Sequence, residues 1–442
     1  MKLSTVSKLA VGLGRPLALC LLGLWLAACA AAPTAGPVAV QSATPPGQTP
    51  APTAAATAAP SATASPSAVT TLSVWLPPDF SPTDATLPGS TVLADQLAQF
   101  EQANPNVVVQ TRVKAESGTG GLLHSLTTAY NVAPSVLPNI IALNRDDLAA
   151  AAQAGLVIPL DKYYPADSLA DVYPFAQVLS RGNQGQLIGV PFATDVQVLA
   201  YLSYVYTTSP LTWTAVTTGT FIFPAADPAA LTLLNEYRAL GGSVTDSTGK
   251  PTLQPDNLAA ALTFFRSARE AGLLPMSTMA YADSTATWQA FRQGRATLAV
   301  TSAHLYLTEP NPPPAAVTLL PAPGGKPLTL AQPWSWAIVN TQPEHEAAAA
   351  ALVTWLTDPQ HLADWTQAAG LLPVRTTVLA RWPESPRTAF ADQVLAQAQL
   401  PPPAQVLSVI GPVLQQALAD VLNDRATPVS AAAVAAQTIA KP

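Results

Sequence analysis

The residues able to do chemistry are sparse. Four histidines, His124, His304, His345 and His361, stand far apart in a chain of 442 residues, and both cysteines, Cys20 and Cys29, fall in its first 29. Imidazole and thiolate metal sites need ligands at short, regular spacings, and no such run occurs. G-x-S-x-G, H-E-x-x-H and the phosphate-cradling P-loop pattern are missing as well. No metal or cofactor is expected. Gly118-Thr-Gly-Gly121 has the composition of an anion nest but reads better as a flexible loop. Carboxylates such as Asp79 and Asp195 could still meet in space. Two opposed carboxylates are what a glycoside hydrolase requires, and the same groups accept hydrogen bonds from the hydroxyls of a bound ligand. Both chemistries stay open at this level.

Composition narrows the classes. Charged residues make up 10% of the chain and hydrophobic ones 49%, with a formal net charge of −6. Typical soluble domains carry roughly 25% charged residues. A nucleic-acid partner is excluded for want of any dense Lys/Arg run to meet a phosphate backbone. The length suffices for two domains with large cores.

The elements that must hold these groups alternate between strand and helix. Leu72–Leu76, Val107–Val113, Asn139–Leu143, Gln197–Tyr206, Thr297–Thr301 and Trp336–Asn340 read as strands. Helical spacing links Leu93, Leu97 and Phe100, and later Leu258, Leu262 and Phe265 behind Pro255. Asp146–Ala154 reads as a short helix closed by Gly155. Thr341-Gln-Pro-Glu344 has capping-box spacing, and a further helix runs from Pro359 to Gly370. The last sixty or so residues are mostly helical. The pattern is α/β in two lobes.

The N-terminus is an address. Lys2, Lys8 and Arg15 precede the apolar run Pro16–Leu26, which ends in Leu26-Ala27-Ala28-Cys29. A positive region, an apolar core and small residues make a secretory signal over 1–28. The terminal tetrapeptide resembles the bacterial lipobox, which implies acyl transfer to Cys29 and cleavage before it. Residues 29–70, almost wholly Ala, Pro, Thr and Ser, have nothing to bury and read as a tether.

From residue 71 onward the chain resembles the extracellular solute-binding proteins of bacterial sugar ABC importers, the maltose-binding-protein type. The resemblance is carried by Phe100-Glu-Gln-Ala-Asn-Pro-Asn-Val-Val-Val109, Leu137-Pro-Asn-Ile-Ile141, Ala154-Gly-Leu-Val-Ile-Pro-Leu-Asp161, Leu187-Ile-Gly-Val-Pro-Phe-Ala-Thr-Asp195, Phe291-Arg-Gln-Gly-Arg-Ala-Thr-Leu-Ala-Val300, Trp334-Ser-Trp-Ala-Ile338 and Gly370-Leu-Leu-Pro-Val-Arg375, in the family's order. It implies a two-lobe periplasmic-binding-protein-like fold of type II with a hinge. Lobe 1 takes about 71–190 plus 280–305, and lobe 2 about 195–275 plus 330–442. It also implies a monomeric, non-enzymatic receptor, anchored to the outer face of the cytoplasmic membrane by lipid alone. That receptor would bind a sugar or polyol and hand it to permease subunits. The alternatives are an extracytoplasmic glycan hydrolase or a sensory or adhesive surface protein using the same cleft. The chain departs from the pattern at Tyr201-Leu-Ser203, at His304 where many relatives have Trp, and after Trp213, where an expected helix is missing.

A sugar offers C–H faces to aromatic rings and a hydroxyl rim to polar groups. The positions matching the family's cleft are Trp75, Asp79, Asn144, Asp146, Asp195, His304 and Trp334. Ligands in open α/β sheets lie beyond the carboxyl ends of strands, which favours the first four independently. Only one of Trp334 and Trp336 is expected to face the cleft, and Trp334 is assigned there, with Trp336 in the core. Arg375 is expected either at the ligand or in a salt bridge.

Overall fold

A computed structural model describes residues 69–441 apart from 166, 211, 217 and 323–325. The signal segment 1–28, Cys29 and all but the last two residues of the tether lie outside the described residues. The strands are β1 (Thr70–Leu76), β2 (Val107–Val113), β3 (Ile140–Asn144), β4 (Val190–Leu202), β5 (Phe221–Ile222), β6 (Leu298–Ser302), β7 (Ala315–Thr318), β8 (Thr329–Ile338), β9 (Leu372–Pro373) and β10 (Ala398–Gln399). Their order is β2-β1-β3-β8-β4-β6-β5, with β7 and β9 also on β4 and β10 on β8.

In the first half, β1 pairs in parallel with β2 and β3. Helix Ser90–Ala103 covers one face through Leu93, Leu97 and Phe100, while Leu122 and Leu126 of helix Leu122–Val132 belong to the core on the other. A parallel sheet covered on both sides shows continuous apolar runs instead of alternation. Leu72, Val74, Trp75 and Leu76 are accordingly all buried. In the second half, Phe221, Phe223, Leu298 and Val300 pack against helices Leu231–Ala239, Pro255–Glu270, Ala404–Leu422 and Pro428–Ala440. Helix Ala404–Leu422 is long and apolar enough to span a membrane, yet half of it is buried in this core.

Two strands belong to both halves. β4 runs antiparallel to β8 from Val190 to Val196, then antiparallel to β6 from Gln197 to Tyr201. β8 in turn pairs with β10 at Thr329 and Leu330 and with β3 from Trp334 to Ile338. The long strand expected at 197–206 is therefore longer towards its N-terminus, where Pro191 and the shift in register before Ala193 mask its period.

The lobe boundaries differ from expectation. Residues 280–305, expected in lobe 1, bring β6 onto β5 and the second half of β4, with helix Ser284–Arg292 against it. Residues 346–377, expected in lobe 2, pack on the first half. Trp355 Nε1 donates to the Gln96 carbonyl at 3.0 Å, Gln96 Nε2 donates to the His361 carbonyl at 2.7 Å, and Arg375 pairs with Asp171 at 2.7 Å. The chain crosses back at β8 and again at β10, so contiguous sequence does not mean one lobe. The expected cap at Thr341–Glu344 is a 3-10 turn instead, and the helix begins at Glu346. Helix Pro359–Ala369 ends at Gly370 (φ 64°) as expected.

Candidate functional site

Where β4 leaves β8 for β6, a cavity of about 480 Å³ opens. The strand pair itself supplies its floor. Asp195 lies opposite Gln332 and Gln197 opposite Ser302, and all four line the space.

Turns and helix starts build the walls. Asp79 comes from the turn Pro78–Phe80 after β1. Phe80 beside it points inward, its ring 5.1 Å from Trp334, 5.8 Å from Phe192 and 5.3 Å from Trp365. Asp227 precedes helix Leu231–Ala239; its Oδ1 accepts from Ala229 N (2.9 Å) and its Oδ2 from Leu231 N (3.0 Å). Asp283 caps helix Ser284–Arg292 by accepting from Ala286 N at 2.8 Å. Ser302 caps the helical turn Ala303–Leu307 that carries His304. Asp195 Oδ1 accepts from Val196 N (2.8 Å) and from His304 N (2.9 Å), tying the crossing strand to that turn. Pro401 closes one edge. Its carbonyl accepts from the Arg145 guanidinium of the first half, and Arg238 of the second half donates to the Leu400 carbonyl at 3.2 Å.

The cavity is acidic. Asp79, Asp195, Asp227 and Asp283 line it, and no Lys or Arg does among the described residues. Burial pushes the Asp195 carboxyl up, against the hydrogen bond from His304 N and the His304 charge. Burial raises Glu116 too, and the neighbouring charges of Asp79 and Asp147 raise it further. Two buried polar atoms on the lining, Gln197 Oε1 and His304 Nδ1, have no hydrogen-bond partner among the described residues. Gln197 is only 9% exposed. Leaving such a group unsatisfied costs about 1–3 kcal/mol, which a ligand that bonds it removes.

Of the residues expected at the cleft, Asp79, Asp195 and His304 are brought together here. Trp75 is elsewhere. It is 2% exposed in the core of the first half, with the Lys114 ammonium 4.6 Å above its ring. A strand covered on both faces leaves it no way out. Asn144 is the cap of helix Arg145–Gln153, accepting from Asp147 N at 3.0 Å. Asp146 sits half-buried in the first turn of that helix, close enough to stabilise the Arg145 charge, and is not on the cavity lining. Trp334, assigned to the cleft, is not on the cavity lining, and it shares a face with Trp336, because residues two apart on a strand do. Along that face Gln332 is exposed, Trp334 half-buried and Trp336 buried, stacked on Phe192 at 4.7 Å. Depth, not side, separates them. Arg375 makes the salt bridge. Gln197, Gln332, Asp227 and Asp283 escaped the sequence reading. Asp227 before Pro228, and Asp283 before Ser284, carry a helix-start signal, but nothing in it says that the starts converge.

Comparison with known proteins agrees with this architecture. The family model described as bacterial extracellular solute-binding protein matches residues 95–394. No curated protein sequence matches. Among solved structures, maltose-bound MalE3 of T. maritima is similar at 21% identity and TM-score 0.65, over 84% of this chain and 99% of that one. The cyclic α-maltosyl-1,6-maltose binding protein of Arthrobacter globiformis is similar at 17% identity and TM-score 0.69, over 84% and 98%. An ABC transporter solute-binding protein of Thermotoga lettingae, bound with α-D-tagatose, is similar at 17% identity and TM-score 0.64, over 84% and 98%.

Proposed function

The chain belongs to the bacterial extracellular solute-binding protein family, and from that premise we propose that it is the receptor of a carbohydrate ABC importer. It takes a sugar or polyol into the cavity on β4 and presents it to a permease. The observation that carries this reading is the pair of unpartnered buried atoms, Gln197 Oε1 and His304 Nδ1, on a cavity formed where both crossing strands meet. Hydroxyls supply the donors and acceptors such atoms lack. Trp334, two residues along the same strand face from Gln332, is half-buried with its ring 5.1 Å from that of Phe80, and it is not on the cavity lining. The similar solved structures hold maltose and tagatose, which fits the same class of ligand.

Binding is favoured over hydrolysis by how the carboxylates are used. Asp227 gives both oxygens to backbone N–H groups, and Asp195 and Asp283 give one each. A glycosidase needs one carboxyl free to move a proton and a second opposite it. Asp79 alone among the four lining carboxylates holds no hydrogen-bond partner among the described residues, and the three acids that do hold backbone groups suit a rigid hydroxyl-binding site. Closure follows from the same layout. A ligand touching Asp79 on the first half and Asp283 on the second has differential affinity for the closed form, which is the only way it can drive the motion.

Thermal-shift screening of the full chain against neutral mono- and oligosaccharides and polyols tests the ligand class. One of them should raise the unfolding temperature, and small-angle scattering with that ligand should show a smaller radius of gyration. If none binds, the carbohydrate reading fails. Release of shorter sugars from an oligosaccharide would replace it with the hydrolase. The anchor is tested separately: Cys29→Ser should abolish incorporation of a fatty-acid probe, because a serine hydroxyl does not replace the thiolate nucleophile.

A further inference from the structure

The cavity wall distinguishes among carbohydrates. Its described lining holds four carboxylates with no Lys or Arg, and it holds no Trp, Tyr or Phe. A neutral sugar held through its C–H face wants an aromatic platform; this wall offers negative charge and hydrogen-bond acceptors in its place. Resting on the carbohydrate reading, we propose that the ligand is an amine-bearing sugar, whose ammonium group sits between Asp79 and Asp283 while Gln197, Gln332 and His304 take its hydroxyls.

The assignment of partners follows from which lone pairs are free. Asp227 has both oxygens bonded to backbone N–H groups, and Asp195 Oδ1 already accepts twice. Asp79 has no hydrogen-bond partner among the described residues, and Asp283 uses only Oδ1, as a cap. These two carboxylates stand on opposite halves, so an ammonium shared by them draws the halves together. An independent sign of an absent ligand is Gln197, 9% exposed, with an acceptor oxygen that nothing satisfies. Beside Asp79, Glu116 feels the like charges of Asp79 and Asp147. A cation placed at Asp79 relieves that repulsion. A metal ion does not suit the wall, since among the described residues no three His, Cys, Asp or Glu side chains are grouped to ligate one. An extended organic cation with hydroxyls uses the spread acids and the orphaned amide together.

Calorimetry on the full chain decides this, with short glucosamine oligomers titrated beside N-acetylglucosamine and glucose oligomers of the same length. The glucose series puts a hydroxyl where the ammonium stands and removes the charge at nearly constant size, while the N-acetyl series removes the charge and adds an acetyl group. The amine series should bind about tenfold tighter than either neutral series, and the advantage should shrink as salt is raised. Asp79→Asn and Asp283→Asn should each lower the preference for the amine several-fold. The second keeps its helix cap, because Asn caps as well as Asp, so a loss there reads charge and not folding. Neutral sugars binding as tightly as the amines overturn this inference and leave the carbohydrate reading standing. A preference that survives both Asn variants overturns the assignment to these carboxylates. Spermidine binding where every sugar fails overturns this inference and the carbohydrate reading alike.

Discussion

On the first-half wall of the cavity, Asp79 stands in a short turn and its side chain holds no backbone group among the described residues, while Phe80 behind it anchors the turn on Trp334, Phe192 and Trp365. On the second-half wall, Asp227, four residues before helix Leu231–Ala239, spends both oxygens on backbone N–H groups, and Asp283, the cap of helix Ser284–Arg292, spends one. The same residue type is thus free on one side and wholly or partly committed to the backbone on the other. The lesson is that an acid's position on a cavity does not state its role; its remaining lone pairs do. Substitutions at four residues sharpen or break the contrast.

The largest effect should come from behind the first wall. Trp336→Ala removes a fully packed ring stacked on Phe192 and should destabilise the fold by about 3–5 kcal/mol, read by denaturant unfolding. A loss under about 1 kcal/mol, well below that core range, would show that the aromatic stack does not support the turn carrying Asp79.

On the second wall, Asp227→Ala should cost about 1–3 kcal/mol of stability through the lost hydrogen bonds to Ala229 N and Leu231 N, and Asp227→Asn, which keeps one acceptor oxygen, less. If the alanine variant unfolds like the parent, the acid is not architectural and the contrast collapses.

The helix that follows Asp227 also carries Glu236, fully buried, with Trp213 Nε1 donating to its Oε2 at 3.3 Å. Burial holds this carboxyl protonated well above the usual carboxylate range, the Trp213 bond pulling weakly the other way. Between the unfolded-state pKa and this raised value the native chain binds more protons than the unfolded one, so stability falls as pH rises. Glu236→Gln should flatten that fall when unfolding is measured across acid to neutral pH. An unchanged slope would place the titration elsewhere.

The smallest effect belongs to Asp79. Asp79→Ala should change stability by no more than about 0.5 kcal/mol, since its side chain bonds nothing among the described residues, while lowering affinity for the ligand. Denaturation and titration of one preparation compare the two; a stability loss as large as that of Asp227→Ala would make the walls alike.

Much of the fold is legible in local pattern. Leu93, Leu97 and Phe100 mark their helix because a 3.6-residue period survives in the chain itself, and Gly370 ends another because a left-handed residue favours glycine. Asp195 could be placed because the run Gly189-Val-Pro-Phe-Ala-Thr leads into it wherever the resembling family crosses between lobes. The lobe boundaries could not be read, since residues 280–305 and 346–377 are assigned by which sheet they meet after the chain has crossed once at β4 and again at β8.

Residue types and their spacing thus determined the elements, the two-lobe class and the acids available for a site. Which of those acids meet was decided only by tertiary structure. Trp75 is apolar on a strand whether or not a second helix layer covers it, and only that layer buries it. Asp227 and Asp283 look like ordinary helix caps from their neighbours in sequence. They become the wall of a cavity because β4 changes partners between Val196 and Gln197 and brings the two helix starts to face Asp79. Local propensity acts over a few residues, whereas a cavity is a property of segments that lie hundreds of residues apart until the chain is packed.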